Sequence, residues 1–523
     1  MSPLQLRGLS DATHAKRIMY WVCVVLQGYI NMNPRLSCGY HCAYRAGVRG
    51  NGRPSPIALC DRTLPDIAAR GVSVPTYDRR RLEPRILHVG VGGFHRAHLA
   101  LYTHELAEAG SEWGIRGLGL LRQDLRMAEA LAPQDHLYTL VERGGGNPRA
   151  QVVGSIVDYR LVYDHPAGAA ELAADPGVCI LSLTITEAGY GDGDAGVRPS
   201  EPTTFDVIAM GLELRRAQGH PPLTIVSCDN LPGNGDAARR STLAAARRRS
   251  ASLADWTERH CAFPNSMVDR ITPATSDDDR AWLVDAVGIE DRWPVVAEQF
   301  RQWVIEDEFA SGRPRWEEVG VLFTDRVHDW EIYKLRLLNA AHSSMAYLAA
   351  LAGATYVHEA MALPDVRSYL RHLLNDEAAP SLAPIPGYPA GDYVASVLER
   401  FANTGVRDQI ARLCIDGSAK FPTFLLPTIG FQLEHDGPVG HGALALAGWA
   451  RYLATVPVER QAFDAAGDTA RHYARQALDE PTRFLAFDEV FPVALRDSSR
   501  FRAAFAAAWQ RLDEVGPLVA MGE

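Results

Sequence analysis

An apolar run at residues 85–89 stops on Gly90, turns through Gly92 and Gly93, and passes directly into an Ala- and Leu-rich stretch reaching Leu106. That order predicts a buried strand, a glycine turn and one helix, the opening of a βαβ unit and hence of a parallel sheet. The chemistry such a turn serves is phosphate binding: glycines let backbone approach a pyrophosphate, whose charge then lies at the helix N-terminus. The third glycine of the usual fingerprint is absent, and His95 stands in its place. A GxG alone is a weak signal and needs its context.

The context agrees. A second apolar run at 115–121 follows at the distance where an acid normally holds the adenosine ribose, and Asp124 stands just beyond it. Arg122 stands there too and would suit a 2′-phosphate, so NAD is preferred and NADP left open. Further strands are expected at 178–183 and 223–227. Their polar ends, including Thr186, Glu187, Asp229 and Asn230, should line the crevice at the carboxyl edge of the sheet. The candidate cofactor residues are Gly90, Gly92, Gly93, Phe94, Asp124, Thr186 and Glu187. His95 and His98 form an HxxH pair without a third ligand at recognisable spacing, so no metal is expected there.

Lysine is nearly absent. Of 53 basic residues only Lys16, Lys334 and Lys420 are lysines. Arginine does not lose its proton near neutral pH, whereas a buried ammonium can be tuned toward neutrality and act as a base. Lys334 is thus the first candidate for chemistry. Residues 330–342 read as one helix, and at roughly 100° per residue Glu331, Lys334, Asn339 and His342 share about 140° of its surface. The plain alternative is a solvated polar face. Leu335 and Leu338 on the same side argue instead for a half-buried one.

A chain of 523 residues should bury at least two cores. Its formal net charge of −10 argues against nucleic acid or an anionic membrane as partner. The first 60 residues are different: seven Lys or Arg oppose Asp11 alone, and four of the eight cysteines lie there. Their apolar stretch, 18–30, is too short to span a bilayer and lacks a convincing cleavage site, so a disordered extension is expected. Cys179, Cys228, Cys261 and Cys414 are scattered, which points to a reducing cytoplasm rather than a disulfide framework.

Five segments resemble one family: residues 90–98 (GVGGFHRAH), 182–190 (SLTITEAGY), 227–235 (SCDNLPGNG), 263–273 (FPNSMVDRITP) and 334–343 (KLRLLNAAHS). In this order they are similar to the polyol-specific long-chain dehydrogenases, the mannitol dehydrogenase family, which also holds hexuronate reductases. The resemblance runs from about residue 60 to the C-terminus. It implies an α/β fold with a Rossmann-like nucleotide-binding domain (61–324) followed by a mostly α-helical substrate domain (325–523), residues 1–60 lying outside both. It further implies Lys334 as general base, Asn230 and Asn339 cradling the reacting oxygen, and His342 binding substrate oxygens. Asp269, Arg412 and Lys420 take substrate or supporting roles. The implied partners are NAD and a small polyol or ketose in a monomer or small homo-oligomer.

One departure is Trp330 beside Glu331, where the family more often has tyrosine, and it bears on the pocket's shape. Glu331, one turn before the lysine, is placed to relay a proton to water. The expected reaction is zinc-independent oxidation of a secondary alcohol, mannitol to fructose first, with hexuronate reduction or arabinitol or sorbitol oxidation as alternatives. Schiff-base chemistry on Lys334 and a non-catalytic nucleotide sensor are the readings from other classes.

Overall fold

The computed structural model describes residues 55–144, 146–190 and 202–522. Most of the expected N-terminal extension therefore lies outside the described residues. Its last part does not behave as an extension: Ile57–Ala58 pair in parallel with Ile289–Glu290, and Leu59 is buried with Ile67, Leu137 and Ile289. The folded chain thus starts before residue 61.

Five parallel strands form the central sheet: β1 (Glu83–Val89), β2 (Trp113–Gly119), β3 (Ile156–Leu161), β4 (Ile180–Leu183) and β5 (Thr224–Ser227), in spatial order β3-β2-β1-β4-β5. β4 and β5 are buried at every residue: β4 lies inside the sheet, covered on both faces, and β5, at the end of the order, is bridged through Thr224 to Ala262. Separate apolar clusters lie on the two faces, Ile86, Ile115 and Ile180 in one and Leu87, Leu118 and Leu181 in the other. Strand order reverses between β1 and β4. At that switch point the loops beyond the two strands part and leave a crevice.

The helix expected after the glycine turn is two helices, α1 (Gly93–Ala97) and α2 (Leu99–Glu108). The break is His98, whose backbone leaves the helical region (φ −125°, ψ −95°). Its buried ring explains this, for Nε2 lies 3.0 Å from the Gln302 carbonyl while the ring stacks on Phe94 at 4.9 Å.

Beyond residue 326 the chain is helical, and its core forms one large cluster. Ala340–Leu351 runs through the middle of this cluster, buried at ten of its twelve positions. Two alanine-containing segments of this domain, 346–352 and 464–478, fall at the end of Ala340–Leu351 and on Gly467–Gln476. The proline-rich connection at 380–389 is tied to the lysine-bearing region: Arg326 donates to the Pro384 carbonyl at 3.1 Å, Arg336 to that of Ser381 at 2.9 Å, and Tyr388 packs 4.6 Å from Trp330. Trp330 therefore fills core behind the lysine. No described helix is long and apolar enough to cross a membrane.

Candidate active site

The lysine helix is not a regular α-helix. Val327–Tyr333 is α, Lys334–Asn339 is π, and Ala340–Leu351 is α again. A π turn closes i→i+5 and is common at functional sites. Lys334 opens this stretch and Asn339 closes it, five positions on, so the widened turn brings them nearer one side than α geometry would. Half-buried Lys334 faces strand Ser266–Asp269 and the end of β5. Its Nζ donates to the Val268 carbonyl and to Asn230 Oδ1, both at 2.5 Å. Burial lowers the ammonium pKa below its usual 10.5; Asp269 opposes that shift, Arg400 adds to it, and Glu331 opposes it.

Glu331 is buried, with Oε1 accepting the Gly233 N–H at 3.0 Å and Oε2 3.5 Å from His328 Nδ1. Desolvation raises its pKa. A cleft lined by Asp229, Asn230, Ser266, Val268, Glu331 and Lys334 opens between the domains. A second hollow lies farther along, lined by His342, His358, Arg400, Asn403 and Asp408. His342 is buried and neutral, its pKa driven down to about 3, and its ring stacks on Phe401 at 4.0 Å. Nε2 has no hydrogen bond to a described residue and lies 4.0 Å from Asp408 Oδ2.

The two cations given substrate or supporting roles each have a partner within the protein. Arg412 grips Asp408 with two hydrogen bonds of 2.9 and 2.6 Å, and Lys420 Nζ donates to the Leu413 carbonyl at 3.2 Å. Asp269 is bonded within the protein. Its two oxygens are held by Arg400 at 2.8 Å each, and Tyr393 adds a third bond at 2.9 Å. Burial pushes this carboxyl up, and Arg400 outweighs the effect and holds it below the usual range.

At the switch point, Gly90 takes φ +89°, and a methyl group there would overlap the Thr184 carbonyl oxygen at the end of β4. Thr184 Oγ1 in turn donates to Gly90 O at 2.7 Å. Gly92 differs, for a methyl group there would meet nothing nearer than Gly90 O at 3.7 Å. Side-chain-free backbone thus faces open space beside α1, whose first N–H groups lack intrahelical partners. Gly90→Ala should introduce strain of about 1–3 kcal/mol and splay β1 from β4. A fall of several degrees in melting temperature together with weaker nucleotide binding by fluorescence titration would be the expected result, whereas Gly92→Ala should weaken binding alone.

Thr186 and Glu187 lie on the loop after β4. Thr186 holds φ +66°, uncommon for a β-branched residue, and the reason is Asp229. That carboxylate accepts the N–H groups of Ile185 and Thr186 at 3.1 and 2.7 Å and the Tyr190 hydroxyl at 2.6 Å. Asp229 therefore fixes the loop while its neighbour Asn230 reaches the lysine. Partial desolvation, then Asp229 and Asp416, raise the Glu187 pKa, and Lys420 opposes them, so this loop faces the helical domain across the cleft. Asp124 turns its carboxylate back onto the Leu121 N–H at 2.9 Å, with Arg122 exposed beside it. The HxxH pair does not converge: His95 stacks on His88 at 3.5 Å while His98 turns toward Gln302.

Arg400, Glu298 and the Val268 carbonyl were not foreseen. Arg400 had no distinguishing signal among so many arginines, and a carbonyl carries none.

Comparison with known proteins bears on this geometry. Residues 84–318 match the family described as mannitol dehydrogenase Rossmann domain, and 326–513 its C-terminal domain. A mannitol 2-dehydrogenase of Phaeosphaeria nodorum is 40% identical over 484 residues, covering 88% of this chain and 85% of the relative. One from Aspergillus fumigatus is 40% identical over 476 residues, covering 86% and 95%. Among solved structures, the Pseudomonas fluorescens mannitol 2-dehydrogenase ternary complex with NAD and D-mannitol superposes with a TM-score of 0.77 at 39% identity, over 89% of this chain and 99% of that one. A substrate-free D-sorbitol dehydrogenase gives 0.81 at 32% identity, over 88% and 100%.

Proposed function

The chain belongs to the mannitol dehydrogenase family and is a polyol dehydrogenase, and on that premise we propose that it interconverts mannitol and fructose with NAD, using Lys334 as the base. The observation that carries this is the bonding of Nζ. An ammonium has three N–H donors. Two are taken by Asn230 Oδ1 and the Val268 carbonyl, so the third direction faces the cleft. In the neutral amine that direction holds the lone pair, and the same atom then accepts the substrate hydroxyl proton.

As the proton leaves, the oxygen gains charge. Asn230 engages Lys334 through Oδ1, which turns its Nδ2 donors away from the lysine, and Asn339 brings a second amide at the far end of the π turn. Together they stabilise the developing alkoxide. His342, kept neutral, offers Nε2 to a neighbouring hydroxyl. Glu331, with a raised pKa beside the cleft, passes the proton from Lys334 outward.

The crevice suits a dinucleotide: open backbone at Gly92, with Gly93 and Phe94 starting the helix behind it, suits a pyrophosphate, and Thr186 and Glu187 on the loop after β4 border the nicotinamide end. Asp124 stands at the ribose end, which favours NAD. When bound, that cofactor accepts the hydride from carbon as the carbonyl forms. Neutral polyols are favoured over hexuronates because Arg412, one of the cations that the resemblance assigns a substrate or supporting role, is paired with Asp408. We place the domain division at residues 324 and 325. The five described cysteines are all free, in keeping with a cytoplasmic setting.

The test is a steady-state panel of NADH and NADPH against fructose, xylulose, fructuronate and tagaturonate. Turnover of fructose with NADH is the expected outcome; turnover of the uronates alone would overturn the substrate while leaving the base in place.

A further inference from the structure

Three buried charges meet across the domain junction beside Lys334, and the reaction above uses none of them directly. Arg400, on helix Ala390–Phe401, donates Nε to Glu298 Oε2 at 2.9 Å and Nη1 to Asp269 Oδ2 at 2.8 Å. Its Nη2 serves both acids, Asp269 Oδ1 at 2.8 Å and Glu298 Oε1 at 2.7 Å. Asp269 and Glu298 end two strands of the nucleotide domain. The Phe300 ring lies 4.0 Å from the guanidinium carbon. Exposures of 7% for Arg400, 3% for Asp269 and 1% for Glu298 place the whole cluster out of water.

As glue, such a cluster is a poor choice, because desolvating three charges offsets most of their attraction and apolar replacements are often as stable. What it supplies is position. Val268, whose carbonyl receives Lys334 Nζ, immediately precedes Asp269, and a carboxylate held at both oxygens keeps that peptide from swinging. Phe401, next to Arg400, is the ring on which His342 stacks. One helix turn thus aligns both the base and the substrate-facing imidazole.

We propose that Arg400 is a positioning residue for this reaction: by clamping Asp269 and Glu298 to the helix that backs His342, it fixes the Val268 carbonyl and so the direction in which Lys334 presents its lone pair. The inference rests on Lys334 being the base. It also has an electrostatic side. Of the charges facing Lys334, Asp269 from its strand and Glu331 from its own helix favour the ammonium, whereas Arg400 opposes it. Buried His98, on the nucleotide side, is neutral, with a pKa of about 3. The Asp229 carboxylate lining the cleft is taken up by backbone N–H groups and Tyr190.

Two substitutions separate position from charge. Arg400→Lys keeps the charge and loses the fork that binds two carboxylates at once. It should lower kcat at least about tenfold, as misplacement of reacting groups does. KM for NAD should be unchanged, and the pH inflection of kcat/KM for polyol oxidation should stay near that of the parent. Arg400→Met removes the charge as well; Asp269 then acts unopposed, Lys334 holds its proton more tightly, and the inflection moves to higher pH. Parent-like kcat in fully folded Arg400→Lys would overturn the proposal, as would an Arg400→Met enzyme whose loss tracks its folded fraction with an unmoved inflection. If Arg400→Met does not fold, Arg400→Lys decides alone. Failure of the base assignment itself would appear elsewhere, as retained turnover in Lys334→Met.

Discussion

Lys334→Met should lower kcat for polyol oxidation by about 10²–10⁴-fold, the range for loss of a general base, with dinucleotide affinity unchanged. Methionine keeps the length of the stem beside Met267, Val268 and Leu335 but has no proton to exchange. The pH profile gives the sign. In the parent, oxidation speeds up as pH rises and Lys334 loses its proton, then levels off above a pKa that burial holds below the usual 10.5. Ketose reduction needs the protonated amine and falls as pH rises through that pKa. In Lys334→Met both limbs should flatten. Stability should not suffer: because the amine is less basic folded than unfolded, its contribution improves only as pH climbs across the window between the two values, and an apolar side chain avoids that cost at neutral pH. Steady-state rates across pH, followed by nicotinamide absorbance, check all of this. Near-parent turnover in a folded Lys334→Met protein would remove Lys334 from the chemistry.

Why Lys334 was legible and Arg400 was not follows from how each makes its contacts. Lysine is rare in this chain, and Glu331, Lys334, Asn339 and His342 lie within one helix, where spacing alone places them on a shared side. Strands β1, β2, β4 and β5 were legible for a similar reason, each being a short apolar run closed by glycine or polar residues. Spacing assumes a regular helix, however, and the π turn at Lys334–Asn339 is set by tertiary packing that leaves no local trace. His98 breaks the helix after β1 because its ring finds a carbonyl 204 positions away. Asp269 and Arg412 show the same limit from the other side. The resemblance gave them substrate or supporting roles, but it did not reveal their partners, Arg400 at 131 positions' distance and Asp408 one turn away.

Asn230→Ala should cost on the order of 10²–10³ in kcat, as loss of an oxyanion donor does, and it should cost more than Asn339→Ala. Asn230 has two duties. Its Oδ1 accepts the Lys334 Nζ at 2.5 Å, and the Nδ2 donors at the other end of the same amide are left for the reacting oxygen. Alanine removes both, leaving the amine held by the Val268 carbonyl alone. Asn339 makes no hydrogen bond to another described residue through its side chain, so its truncation removes only a donor. Asn230→Asp separates the two duties. The carboxylate still accepts from Lys334, but it repels a developing alkoxide and stabilises the ammonium, so the rate should fall while the pH inflection for oxidation moves up. Asn230→Ala should lose rate with little movement of that inflection. If all three variants keep kcat within a few-fold of the parent, the amide end facing the cleft is not where charge develops, and the oxygen must be stabilised from the His342 side instead.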